Sequence, residues 1–268
     1  MRFTCARDQI VIKDFQPFLE RRVSKATQIR HILHMVGIVA ALGLVGVRPV
    51  FAFNLDGSVT SPSKVSWRPG TKVVMVPGGV GLEMDGIRSG LMVADHPRFA
   101  MKRAITVSAW IKPESYVERG GGAQLIFRGD DNSGLDPYSF VIHPDGKIFF
   151  SVQDALQNNG AVSTSLPLGQ WTHIVATYDG KLGRVRMFKN GKLDTTEATK
   201  VIPIVTLDTK QAPGVGIGNI QWDKGPHNQP FHGVVADLRL YNAVLEPKQI
   251  GFKSEGWNTP YIDVSRKD

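Results

Sequence analysis

Gln170-Trp-Thr-His-Ile-Val-Ala-Thr-Tyr-Asp-Gly180, running into Arg184-Val-Arg-Met-Phe-Lys-Asn-Gly-Lys192, decides the fold. Asn190-Gly191 is the strongest short hairpin signal a sequence carries, because both central residues of the favoured two-residue turn need positive φ. Alternating side chains on both sides of so tight a turn predict antiparallel sheet and argue against the parallel sheets of most metabolic enzymes.

Working outward, the same pattern recurs. Ile105, Val107, Ala109 and Ile111 alternate with Thr106, Ser108 and Trp110, giving one aliphatic and one mixed face. Tyr138–His143 and Lys147–Val152 flank Pro144-Asp-Gly146 and predict a second hairpin. Val201–Leu207, Gly214–Ile220 and Phe231–Tyr241 are further candidate strands. The one helical candidate is a single turn, Glu246–Ile250, with Pro247 where a missing N–H costs nothing. Many short strands joined by glycine-rich turns predict a one-domain, all-β sandwich or barrel over residues 72–250.

Residues 1–52 read as a leader. The apolar run Ile32–Val47, broken only by His34, follows Arg21, Arg22, Lys25 and Arg30, and Val50-Phe-Ala52 resembles a cleavage site. Sixteen residues fall short of the ~20 a spanning helix needs, so a cleaved secretory signal peptide is expected rather than a membrane anchor. Residues 53–71 read as a linker or N-terminal extension, and 251–268 as a C-terminal tail. The leader carries +5 of the formal charge of +8. The basic balance is therefore no argument for nucleic-acid binding. The only cysteine, Cys5, also lies there, leaving the rest without disulfide or thiolate chemistry.

Four stretches resemble the laminin-G-like, concanavalin A-like lectin/glucanase family: Gly81–Gly86 its opening strand, Ile105–Pro113 its tryptophan strand, Trp171–Tyr178 its central strand, and Phe231–Tyr241 with Leu245 and Ile250 its closing strand and turn. The resemblance covers residues 81–250 and implies an antiparallel jelly-roll β-sandwich, in a secreted or extracellular module of the kind that binds glycans or glycoprotein surfaces. It also implies that Asp85 and Asp237, on first and last strands that pair, could hold a structural calcium ion. The family's closing strand carries two adjacent acids, whereas here Ala236 precedes Asp237.

Glycoside hydrolases that resemble this sandwich place three acids along one strand as Glu-x-Asp-x-x-Glu, the first and last supplying the carboxylate pair. Glu83-Met-Asp85 is the near match, but Arg88 stands where the third acid belongs, which removes half of the carboxylate pair. His173, His143 and His232 join no nucleophile signature, and His173 reads as structural. Asp130–Asp136 holds three acids and an asparagine, without the spacing of a calcium-binding loop.

Sugar recognition combines a flat ring with hydrogen-bonding neighbours. Trp110 and Trp171 lie on core strands and are expected to pack. Trp222 lies in the polar Pro/Gly loop Asn219–Pro230, and with Asp223, His227 and Asn228 it makes the first candidate ligand surface. Tyr138 and Arg128, on strands expected to face outward, make the second. The expected function is a secreted, non-catalytic module for a glycan or glycoprotein. A glycan-cleaving hydrolase or lyase, or a matrix protein, are the alternatives.

Overall fold

The computed structural model describes residues 47–116, 122–129, 136–211, 213–221, 227–254 and 257. Its strands in chain order begin with β1 (Phe51–Phe53), β2 (Val59–Thr60), β3 (Val65–Trp67), β4 (Lys72–Val76), β5 (Gly79–Asp85) and β6 (Leu91–Ala94). There follow β7 (Ala104–Pro113), β8 (Ala123–Gly129), β9 (Tyr138–Ile142), β10 (Lys147–Gln153) and β11 (Asn159–Ser165). The last are β12 (Thr172–Asp179), β13 (Arg184–Lys189), β14 (Lys192–Ala198), β15 (Gly214–Ile217) and β16 (His232–Tyr241). One sheet runs β14-β13-β12-β7-β16-β1-β2, with β5 also on β16 and β4 on β5; the other runs β11-β10-β9-β8-β15-β6-β3. Every pairing is antiparallel.

Period-two alternation sends one face of each sheet inward. Ile105, Val107, Ala109 and Ile111 of β7, Ile174, Ala176 and Tyr178 of β12, and Phe140, Ile142, Ile148 and Phe150 of the opposite sheet share one buried cluster. Each large aliphatic or aromatic side chain so buried contributes about 1.5–3 kcal/mol. Two bulges adjust the phase. On β16 the register shifts between Ala236 and Arg239, with Asp237 at φ 47°, so that Val235 and Leu238 both reach the core. On β8 the shift lets adjacent Leu125 and Ile126 do the same.

Both expected hairpins form. Asn190 and Gly191 take φ of 50° and 81° between β13 and β14, and Gly146 takes 79° between β9 and β10. Pro247–Ile250 is a single 3-10 turn, as the proline position predicts.

Three expectations are corrected. The boundary between residues 52 and 53 cuts through β1, whose Phe51, Ala52 and Phe53 are fully buried against Leu240, Arg239 and Leu238 of β16. Of the linker and the N-terminal extension expected for residues 53–71, the linker is accordingly corrected: they carry the end of β1 together with β2 and β3. Val201–Leu207 joins no sheet: the segment crosses the open end of the sandwich, burying Val201 and Leu207 and donating Ile204 N–H to the Gln153 carbonyl.

Candidate functional site

The second ligand surface expected from the sequence lies inside the protein. Arg128 and Tyr138, opposite one another on β8 and β9, are each only 1% exposed. Tyr138, Phe140 and Ile142 share the inward parity while Ser139 and Val141 point out, and a one-residue error in parity turns a whole strand over. The Arg128 guanidinium donates to Asp95 at 3.3 Å and to the Val205 carbonyl at 3.0 Å, and the Tyr138 hydroxyl donates to the Phe99 carbonyl. Burial pushes the phenol far above its ordinary range. The pair closes one end of the core.

Of the first surface, Trp222 and Asp223 lie outside the described residues. His227 and Asn228 are buried, which corrects their expected exposure. His227 packs on Phe127 with ring centroids 4.7 Å apart, its N–H donates to Gln221 Oε1, and its Nε2 lies 3.5 Å from Asp136. Asn228 Oδ1 accepts from Asn219 Nδ2. Arg68 donates to the carbonyls of Asn219, Ile220 and Gln221, and Gln124 accepts the Ile220 N–H. A loop so rich in polar residues looks free in sequence because its partners, Arg68 and Gln124, are remote; buried polar groups demand such partners.

The calcium expectation also fails on register. β5 and β16 do pair, but Asp85 faces His232, five residues before Asp237. At ~3.3 Å per residue the two carboxylates stand about 15 Å apart along β16 and cannot share a cation. Asp85 Oδ1 already accepts the N–H groups of Ile87, Arg88 and Ser89 and the Ser89 hydroxyl. Burial raises its pKa, but those donors outweigh it and hold the carboxyl well below the usual range. Asp237 lies 2.7 Å from Arg239; burial pushes its pKa up and Arg239 pulls it back. A carboxylate ringed by donors, and another neutralised by arginine, do not fit a cation. Among the described residues no group of three or more His, Cys, Asp or Glu could hold a metal. Asp130–Leu135 lie outside them.

Glu83 sits 3.9 Å from Lys72 in water, apart from the hydrogen-bonded Asp85 turn. His173 is buried, with Nε2 3.2 Å from Ser108 Oγ. Trp110 packs as expected, though on the outer face of its sheet. Trp257 stacks on it at 4.3 Å and Phe252 at 5.9 Å, while Trp171 meets Trp257 edge-on at 5.0 Å. Phe252 and Trp257, expected to belong to a tail, thus cover this face.

The surface that does combine an accessible ring with sugar-compatible groups runs along β11. β10 turns Ile148, Phe150 and Val152 inward and Phe149 outward, where His143 stacks on one face of its ring at 4.0 Å. Burial, opposed by Asp145, lowers the His143 pKa, leaving an uncharged platform at neutral pH. Phe149, Asn159, Gly160, Ala161 and Ser163 form one bank of a groove of about 340 Å3, and Thr195, Glu197 and Ala198 of β14 the other. The Thr195 hydroxyl donates to the Ser163 carbonyl, fastening the edge strands of the two sheets together. Gln153 Nε2 donates to Asn159 Oδ1 and orients that amide. The ring can cover an apolar sugar face while Asn159 and Glu197 meet hydroxyls. Sequence reasoning missed this groove because each bank is ordinary alone; only the meeting of β11 with β14 creates it.

A laminin G domain model of the concanavalin A-like lectin/glucanases superfamily matches residues 85–251. The chain belongs to that superfamily. Its sandwich resembles the receptor binding domain of botulinum neurotoxin C/D mosaic serotype, with TM-score 0.57 and 14% identity over 75% of this chain and 49% of that one. The binding domain of Paraclostridial Mosquitocidal Protein 1 aligns with TM-score 0.56 and 14% identity over 75% of this chain and 50% of the other. This concanavalin A-like chain thus spans about half the length of the toxin binding domains it matches. Domain 4 of AbnA, a GH43 extracellular arabinanase from Geobacillus stearothermophilus in complex with arabinotriose, aligns with TM-score 0.54 and 19% identity over 76% of this chain and 97% of that domain. At these identities the likeness is one of fold. No curated protein sequence matches the chain.

Proposed function

We propose that this concanavalin A-like chain is an extracellular, non-catalytic recognition module whose groove along β11 binds a carbohydrate or the glycan of a glycoprotein. The observation that carries the reading is the half-buried Phe149 ring lining a sugar-sized groove, flanked by the Asn159 amide and a Glu197 carboxylate that has no ion-pair partner among the described residues. The arabinanase domain of like fold was determined with arabinotriose bound, which supports carbohydrate as the ligand class. Trp222 and Asp223 are proposed as a second contact, because the loop's flanks are held firmly by Arg68 and Gln124.

The test is a glycan array probed with the full chain, with and without chelator, beside Phe149→Ala, Glu197→Gln and Trp222→Ala. Phe149→Ala is expected to lower retention at least about fivefold, since stacking on an aromatic ring is worth ~1 kcal/mol or more. Its melting temperature should hardly change. Full retention in both groove variants would remove the groove from the reading, and retention lost only in Trp222→Ala would move the site to that loop.

A further inference from the structure

Ala104, Gln153, Asp179 and Ala198 end their strands at one pole of the sandwich, closed by the segment that crosses it. Two adjoining hollows open there. The first, about 430 Å3, is lined by Lys102, Arg103, Tyr178, Gly180, Lys181 and Ile202. The second, about 580 Å3, shares Lys102 and Ile202 and continues over Leu156. No ion pair or side-chain hydrogen bond engages Lys102, Arg103, Lys181 or the neighbouring Lys200 among the described residues. The acids nearby are occupied in shaping turns: Asp154 accepts the N–H groups of Leu156 and Asn158, and Asp179 those of Lys181 and Leu182. Those turns and the crossing segment hold bare aliphatic side chains in water. Leu156 is 83% exposed, Leu182 57% and Ile202 55%.

We propose that this pole docks on a bilayer surface carrying anionic lipid headgroups, with Lys102, Arg103 and Lys181 meeting the headgroups and Leu156, Leu182 and Ile202 entering the interface. Single exposed aliphatics mean little, but three on two neighbouring turns and the crossing segment, interleaved with cations that have no ion-pair partner among the described residues, match both parts of a membrane surface. An acidic polysaccharide would satisfy the cations and leave the leucines in water. A second copy of the chain would bring like charges together. The Phe149 groove reaches this pole at Ala198 but shares no lining residue with the two hollows.

The test is co-sedimentation of the full chain with phosphatidylcholine vesicles and with vesicles containing about 30 mol % phosphatidylserine, beside retention on heparin. The apolar run Ile32–Val47 is present in every variant, so differences between variants report the pole alone. Association should favour the anionic vesicles. Lys102→Glu/Arg103→Glu/Lys181→Glu should lower it by well over tenfold, at about fivefold per cation. Leu156→Ser/Leu182→Ser should lower vesicle association at least about fivefold without changing heparin retention. All five substituted sites are exposed and leave the fold intact, checked by melting temperature; Gln in place of Glu serves if the charge reversal disturbs it. Equal association with neutral vesicles, or parental association of the leucine variant, would overturn the proposal. Heparin retention without vesicle association would assign the pole to an acidic polysaccharide instead.

Discussion

His173 holds an uncharged imidazole between two aromatic rings, Trp110 at 5.0 Å and Phe252 at 4.6 Å, and its Nδ1 has no hydrogen-bond partner among the described residues. Burial, assisted by Arg239, pulls its pKa down to about 3. The unfolded chain, with an ordinary imidazole near ~6.5, binds the proton first as pH falls. Stability contributed by the neutral ring is complete above pH ~6.5 and is lost progressively towards the folded value. Urea midpoints measured between pH 7 and pH 4 should therefore fall in the parent and fall less in His173→Gln, which keeps a partner for Ser108. Equal slopes would remove His173 as the cause. Trp110→Ala should cost ~3–5 kcal/mol, the usual loss for a buried large aromatic, against almost nothing for Phe149→Ala. That Trp110 packs was legible in its strand. What it packs against was not, because Phe252 and Trp257 lie more than a hundred residues away and carry no periodic signal of their own.

Among elements, β1 is the one the sequence conceals. Three residues cannot display a period, and Phe51-Ala-Phe53 reads equally well as the end of an apolar leader. Only its partner β16 reveals it. A chain beginning at Phe53 loses the buried Val50, Phe51 and Ala52, and should melt roughly 10 °C below one beginning at Val47, at ~2–4 °C per kcal/mol for a chain of this size. Differential scanning calorimetry of the two decides it; equal midpoints would show that β1 contributes little. The opposite error concerns Val201–Leu207, whose aliphatic spacing suits a strand. Its buried side chains are explained by closing the pole, and it pairs with no strand of either sheet. Short hairpins were easier, since Asn190-Gly191 and Asp145-Gly146 encode their geometry locally.

At the level of the molecule, the antiparallel sandwich follows from many local alternations agreeing with one another. The groove and the basic pole do not, since each needs residues from loops or edges that only topology brings together. Among the described residues the same topology leaves β4 paired on one side only, with Val73 53% and Met75 65% exposed along it. Apolar, one-sided edges invite association between chains. Val73→Lys with Met75→Lys should raise the concentration at which light scattering reports a single species, with no fall in melting temperature.

Because Phe51 faces Leu240, the start of β1 lies beside the end of β16. Tension applied between the residues just before β1 and those just after β16 would therefore load the shared hydrogen bonds one at a time, as a zipper is opened, rather than shear them together. A sandwich tethered through its N-terminal side and pulled from its C-terminal side would surrender β1 at low force. Its jelly-roll body would follow only once the core that Phe51 and Phe53 seal had been breached.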